Sequence, residues 1–264
     1  MANQAAKAES FRALHEGGPF VIPNPWDAGS ARALEALGFQ ALATTSSGFA
    51  FTLGRRDGQT TLDDVAAHVA ALADATTVPV SVDLENGYGR VPEAAARAVQ
   101  RVAEAGAVGG SIEDWDAEEG VYEPAFAVER IAAAVEAAQS LPFPFTLTAR
   151  AENHIRGNPD LEDTIARLQA FEVAGADVVY APGLRTLEEV RTVCEAATQP
   201  VNVLARPEFT MAELAEAGAQ RVSVGGALTW TAVQAFASAA EAIRDRGDFS
   251  GLAAAPPLDT WFAA

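Results

Sequence analysis

The chain has 264 residues, 49% of them hydrophobic, which is enough for one large buried core of the size that α/β barrels commonly use. Its 18 basic against 36 acidic residues leave a net charge of -18, which repels phosphate backbones and anionic lipid and argues against nucleic acid or a membrane as partner. With Cys194 as the single cysteine, no intramolecular disulfide and no cysteine zinc site can form, and a reducing, cytoplasmic setting is the expectation.

In chain order, residues 1–12 are polar and alanine-rich, without the apolar stretch of a secretion signal, and no later run is long and apolar enough to span a membrane. From there short β-rich apolar runs alternate with alanine-rich helical stretches. The runs lie near residues 20–22, 40–44, 78–83, 108–113, 145–150, 177–180, 201–204 and 221–224. Between them Val65, Val69 and Leu72, and later Ile165, Leu168 and Phe171, recur at helical spacing. Gly38, Gly106, Gly175 and Gly218 each separate a helical stretch from the next strand, where a left-handed residue stops a helix. No dinucleotide fingerprint follows the first strand, so eight such units predict a closed (β/α)8 TIM barrel, one domain over residues 1–264, in preference to an open doubly wound sheet. Residues 229–264 read as a C-terminal helix and tail. Val233, Phe236 and Ala240 can form one apolar face there, and Trp261 and Phe262 need somewhere to bury, on their own barrel or on a neighbour.

Barrel enzymes carry their reactive groups at the C-terminal ends of the strands, and here those ends turn from apolar to charged. The second run leads into Thr45-Ser46-Ser47-Gly48, the third into Asp83-Leu84-Glu85-Asn86-Gly87-Tyr88-Gly89, the fourth into Glu113-Asp114-Trp115-Asp116 and the fifth into Arg150-Ala151-Glu152-Asn153. A lone acid in such a loop is commonly a solvated carboxylate or a helix cap. Three at neighbouring strand ends, Asp83, Glu85 and Glu113, instead converge on one mouth and suit a hard cation such as magnesium. Arg150 reads as a buried ion-pair partner or as the anchor of an anionic substrate. Ser47-Gly48-Phe49 is either a turn or a grip on a carboxylate.

These residues resemble the isocitrate lyase/phosphoenolpyruvate mutase superfamily over nearly the whole barrel. The segment Asp83 to Gly89 is similar to its acidic stretch ending in Gly-Tyr-Gly, Ser111-Ile112-Glu113-Asp114 to its Ser-Ile-Glu-Asp, and Thr148-Ala149-Arg150 to its Thr-Ala-Arg. The resemblance implies a lyase acting on a small 2-oxo or 2-hydroxy (di)carboxylate through an enolate, with Mg2+ or, in its place, Mn2+. It implies that Asp83 ligates the metal and meets the substrate, that Glu85 and Glu113 support the metal through water, and that Arg150 contacts substrate. It further implies that Ser47, Gly48 and Phe49 hold the 2-oxo carboxylate and that Asp57 lies close to the reacting centre. A homo-oligomer, dimer or tetramer, with the last helices exchanged between subunits, is implied as well.

Two departures narrow the reading. The lyases carry Lys-Cys-Gly-His in the loop after the fourth strand, whereas residues 116–122 read Asp-Ala-Glu-Glu-Gly-Val-Tyr, a short segment without lysine, cysteine or histidine. After the sixth strand, Tyr180-Ala181-Pro182-Gly183 offers neither the glutamate of the lyases nor the histidine of the mutase. Arg206 is either a compensating charge for a distal carboxylate or a surface arginine before Pro207. Cleavage of a carbon-carbon bond or decarboxylation, with an oxaloacetate-like or isocitrate-like substrate, leads; carbon-phosphorus hydrolysis or mutation of phosphonopyruvate, and a non-catalytic barrel that binds a 2-oxo acid, are the alternatives. Among the remaining groups, Cys194 reads as a packing residue in a helix, His154 as a candidate beside the site or a solvent-facing loop residue, and Gly225-Gly226 as a weak phosphate-binding signal.

Overall fold

A computed structural model describes residues 2–252 and 255–262. Its strands are β1 (Phe20–Ile22), β2 (Leu42–Ala43), β3 (Val80–Asp83), β4 (Gly109–Glu113), β5 (Trp115–Asp116), β6 (Gly120–Val121), β7 (Thr146–Arg150), β8 (Val178–Tyr180), β9 (Val201–Leu204) and β10 (Arg221–Ser223). The helices are α1 (Ala2–Glu16), α2 (Ala28–Ala36), α3 (Ser46–Thr52), α4 (Leu62–Ala75), α5 (Pro92–Glu104), α6 (Pro124–Gln139), α7 (Leu161–Val173), α8 (Leu187–Ala196), α9 (Met211–Glu216), α10 (Ala227–Arg246) and α11 (Leu258–Trp261). Eight strands pair in parallel in the order β1-β10-β9-β8-β7-β4-β3-β2. The seam between β1 and β2 is drawn together by Ala43 N donating to Pro23 O at 3.1 Å. Asn24 finishes the ring: its Nδ2 donates to Thr44 O and its Oδ1 accepts from Val224 N, both at 2.9 Å. The predicted (β/α)8 barrel is the fold observed.

All eight predicted runs become barrel strands, most of them a residue or two shorter than the apolar run and β2 only two residues long. Gly38, Gly106, Gly175 and Gly218 all take positive φ, between 93° and 108°, as helix stops require. Helix starts are written just as locally. Asp27 with Ser30, Thr61 with Asp64, Thr186 with Glu189 and Thr210 with Glu213 form reciprocal capping boxes, each cap contributing about 1 kcal/mol. Proline opens α5 and α6, where its missing N–H costs nothing.

The period of two along the strands sorts their side chains. Val80, Val82, Ile112, Leu147 and Ala149 are buried with the apolar faces of the surrounding helices, such as Val99 and Val102 of α5, Ile131 of α6 and Leu168 and Phe171 of α7. The alternate residues Ser81, Asp83, Ser111 and Arg150 line the barrel interior.

Two features lie outside the predicted pattern. The polar first segment is helix α1, which plugs the N-terminal end of the barrel with Ala8 and Phe11, both fully buried against Ile22, Ala41 and Val108. Gly109 makes room for this plug, since a Cβ there would stand 2.8 Å from Phe11 Cε1. Lys7 Nζ donates to Thr76 O at 2.7 Å and Gln4 Nε2 to Ala103 O at 2.7 Å, tying α1 to the helix ends above it. The short segment after β4 is an antiparallel hairpin, β5 with β6. Asp116 Oδ1 accepts from Glu118 N and Glu119 N, and Gly120 takes a φ of 82°, which together turn the chain within three residues.

The tail docks on its own barrel: α11 packs against α2, and Arg32 donates to Phe262 O at 2.8 Å with its guanidinium over the Phe262 ring. By contrast, α10 has only Thr229 buried, and Phe236 is 72% exposed. No helix among the described residues is long and apolar enough to cross a membrane.

Candidate active site

The in-register pairing of β3, β4 and β7 brings the predicted groups to one rim. Asp83 stands opposite Ser111 and Glu113 opposite Arg150, while Arg150 is also opposite Tyr180 on β8. Arg150 is the hub. Its Nη1 lies 3.3 Å from Glu113 Oε2 and 3.8 Å from Asp83 Oδ1, its Nε donates to Glu152, and its guanidinium carbon sits 5.3 Å from the Tyr180 ring centre.

Asp83 is oriented on every side. Its N–H donates to Thr44 Oγ1 at 2.9 Å, and its carboxylate accepts from Ser46 N at 3.2 Å and Glu85 N at 3.3 Å. Glu85 adopts a φ of 48° and Tyr88 a φ of 57°, left-handed conformations that are rare for residues with a side chain. That turn brings Tyr88 OH to Glu85 Oε1 at 3.1 Å and Thr60 Oγ1 to the same oxygen at 3.4 Å.

Burial and crowding make these acids hard to ionise together. Burial, with Asp83 and Asp57 adding their negative fields, pushes the Glu85 carboxyl up to about 7. Burial also raises Glu113, with Glu152 and Asp83 reinforcing it against the pull of Arg150. Burial disfavours the Arg150 cation, yet Glu113 and Glu152 hold its pKa above the usual arginine range. A divalent cation would relieve the mutual repulsion of Asp83, Glu85 and Glu113, so the donor set fits a hard metal ion held by oxygen. Among the described residues no three such side chains close directly on one point.

The other predicted residues are distributed around this cluster. Ser47, Gly48 and Phe49 form the start of α3, capped by Thr45, whose Oγ1 accepts from Gly48 N at 3.4 Å. Gly48 has a packing reason as well, because a Cβ there would meet Thr229 Oγ1 and Thr45 Cγ2 at 2.6 Å. The Phe49 ring is buried and stacks on His68 at 4.0 Å, and its N–H donates to Thr45 O at 3.0 Å. Asp57 is exposed on the loop before α4, close enough to act on Glu85 electrostatically. Arg206 lies beyond β9, where it pairs with Glu208 at 3.3 Å. Gly226 is bare because a Cβ would strike Trp230 and Ser47, which accounts for that glycine without a phosphate. Burial raises the Cys194 thiol to about 11, consistent with a packing role. His154, open to a solvent-facing reading in the sequence, is instead buried, with neither ring nitrogen hydrogen-bonded among the described residues.

The sequence did not single out Glu152, Trp115 or Arg156. Glu152 is fully buried between Arg150 and Arg156, and its N–H donates to Asp114 Oδ1 at 2.7 Å. Asp114 also accepts from Arg167 Nη1 at 3.0 Å, and Arg167 Nη1 donates to Tyr122 O at 2.8 Å, so one acid ties the hairpin, α7 and the β7 loop together. The spacing of Glu152 and Arg156, four residues apart after Arg150, was the available signal.

Comparison with known proteins settles the family. The family model for phosphoenolpyruvate phosphomutase matches residues 11–244. The chain belongs to that family. It is 37% identical over 238 residues to an uncharacterized protein of Mycobacterium tuberculosis, with 89% of each chain covered. It is 30% identical over 261 residues to an oxaloacetate decarboxylase of Rhodopseudomonas palustris, covering 96% of this chain and 88% of the relative. A solved structure described as a lyase/mutase from Burkholderia cenocepacia superposes with a TM-score of 0.96 at 51% identity, covering 100% of this chain and 98% of that one.

Proposed function

We propose that this member of the phosphoenolpyruvate phosphomutase family is a magnesium-dependent lyase that breaks a carbon-carbon bond of a small 2-oxo or 2-hydroxy dicarboxylate, with decarboxylation of oxaloacetate as the leading reaction. The observation that carries the reading is the placing of Asp83 and Glu113 against Arg150 at the barrel mouth, with Glu85 crowded against Asp83. The similarity to an oxaloacetate decarboxylase supports it.

Asp83 would hold the metal directly, with Glu85 and Glu113 supporting it through water; Mn2+ would substitute. Bound there, the metal supplies positive charge against the oxygen on which negative charge develops. The chain's own groups orient and shield. Arg150, fixed by Glu113 and Glu152, presents a cation to the substrate's carboxylate, and the start of α3 meets the Asp83 side of the site through Ser46 N. Asp57 stands at the open edge.

The hairpin decides between substrates. Residues 115–121 bring no lysine, cysteine or histidine over the site, and the Tyr122 hydroxyl is engaged by Asn86 Nδ2 at 3.3 Å. A product carbanion that needs a dedicated acid is therefore poorly served. Oxaloacetate loses carbon dioxide, and its C3 can take the replacing proton from water, giving pyruvate. Steady-state kinetics on oxaloacetate, isocitrate and phosphonopyruvate, each with magnesium and with chelator, test this. Oxaloacetate is expected to show the highest kcat/KM, and chelator should abolish it. Preference for phosphonopyruvate would move the assignment to carbon-phosphorus chemistry, and binding without turnover of any of the three would make the barrel a 2-oxo acid sensor.

The exposed apolar residues of α10, among them Leu228, Trp230 and Phe236, support assembly as a dimer or tetramer, with that helix covered by a second copy. Light scattering at micromolar concentration tests it, and a monodisperse monomer would count against it. The single cysteine and the substrate class fit a cytoplasmic enzyme.

A further inference from the structure

Arg156 stands on the rim of the site in an arrangement that its ion pairs do not exhaust. Its Nε donates to Glu152 Oε2 at 2.8 Å, which fixes one edge of the guanidinium. Its flat face lies on Trp115, with the guanidinium carbon 3.4 Å from the ring centre. Stacking of this kind holds the plane of the group while leaving its in-plane N–H donors free for other partners. The second acid beside it, Glu113, stands with Oε1 3.8 Å from Nη2, beyond hydrogen-bonding reach, and 35% of the side chain is open to solvent. Arg150 is the more enclosed of the two: 16% exposed and shared among Asp83, Glu113 and Glu152, it has only its reach at the metal end of the site left to offer a ligand.

The surroundings need such a cation. The hairpin beside Arg156 carries Asp116, Glu118 and Glu119 and no basic residue of its own. An incoming ligand with two acidic groups, one drawn to Asp83 and its metal, would bring the other toward that acidic rim. Arg90 already pairs with Glu119 at 2.9 Å, so the repulsion left by Asp116 and Glu118 is what a cation with donors to spare must offset.

We propose that Arg156, held flat on Trp115, is the specificity-determining residue that receives the distal carboxylate of the substrate, and so selects 2-oxo or 2-hydroxy dicarboxylates over monocarboxylates. The inference rests on the 2-oxo acid reading of the site and names what that reading leaves open. It also gives Trp115 a purpose: the indole positions the guanidinium, and the fully buried Glu152 anchors its edge.

The test is binding, measured by calorimetry with magnesium present, of malate against 2-hydroxybutyrate. The two share a four-carbon chain and a 2-hydroxy carboxylate, and they differ in bearing a carboxylate or a methyl group at the far end. Oxalate, which needs only the metal end of the site, is the third ligand. The wild-type protein is expected to favour malate over 2-hydroxybutyrate by about tenfold or more, the worth of one charge-assisted hydrogen bond. Arg156→Gln should erase most of that preference while oxalate binds as before, Arg156→Lys should restore part of it, and Trp115→Ala should weaken it without removing the charge. Unchanged oxalate affinity also reports that each variant is folded at the site. The proposal is overturned if Arg156→Gln keeps the malate preference, or if Arg206→Gln is the variant that loses it. Those results with oxalate still bound would leave the 2-oxo acid reading standing, whereas a wild-type protein that binds neither oxalate nor malate would sink both.

Discussion

Two arginines inside the same barrel show opposite solutions to one problem. At the mouth, Arg150 is surrounded by Glu113, Glu152 and Asp83, and its charge is held in place by theirs. At the floor, Arg221 has no acid beside it among the described residues. Its Nε donates to Asn202 Oδ1 at 2.8 Å, its Nη2 to Thr148 Oγ1 at 2.9 Å, and its Nη1 contacts His15 Nε2 at 3.2 Å. Burial accordingly lowers its pKa to about 10. Because arginine can only donate and Phe11 O can only accept, His15 must carry its proton on Nδ1, 2.9 Å from that carbonyl, and present Nε2 as an acceptor. Burial and the neighbouring Arg221 push His15 down to about 4. Hydrogen bonds from a cation to uncharged acceptors satisfy the floor; opposed charges are concentrated at the mouth. Burial of a charged residue is thus no sign of a site by itself, and crowding of like charges is the better one.

The largest effect separating the two ends should come from Asp83→Ala. It should reduce turnover to background and weaken magnesium binding, with thermal unfolding nearly unchanged, because a mouth carboxylate contributes ligation and little packing. Unaltered metal affinity in a Mn2+ titration would break the assignment. Next comes the pair Arg150→Met and Arg221→Met. The first should remove activity; the second should act on stability, by about 2–4 kcal/mol in urea unfolding, since it leaves Asn202, Thr148 and His15 without a donor. Equal loss of kcat/KM in both variants would erase the distinction between mouth and floor. Glu113→Gln should lower kcat/KM by about 10–100-fold while keeping the metal, the effect of losing a group that supports a ligand through water. Metal loss as complete as in Asp83→Ala would make Glu113 a direct ligand instead.

The smallest effect is at the floor. A histidine whose pKa falls from 6.5 to about 4 on folding is favoured neutral, so the unfolded chain binds the extra proton between those values. Its stabilising contribution is complete above pH 6.5 and is lost as pH falls toward 4. His15→Gln should therefore flatten the stability curve in that window relative to the wild type, by up to about 1.4 kcal/mol per pH unit. Parallel curves for the two proteins would show that His15 is not held neutral.

Why the mouth was legible and much else was not follows from what each part depends on. Asp83, Glu113 and Arg150 end strands whose period of two is visible in the chain, and strand register then brings them together without further information. Gly38 and Gly106 stop helices by a rule that is likewise local. The stacking of Arg156 on Trp115 joins residues 41 apart in sequence, through a hairpin of two-residue strands too short to carry a pattern of its own. Arg221 opens a strand with nothing local to mark its role, because its partners come from β7, β9 and α1 at once. Helix α1 hid for a different reason: its polar composition masks Ala8, Phe11 and His15, three residues on one face.

That helix has a kinetic consequence. With Phe11 and His15 stoppering the floor and Arg221 locked above them, the barrel is a well and not a tunnel, so every small molecule must enter and leave by the same doorway. Two fragments made in one turnover cannot depart in opposite directions. The fragment nearer the rim leaves first, and the one beside Asp83 leaves last. Whichever product is last out blocks the next substrate, and should inhibit in direct competition with it.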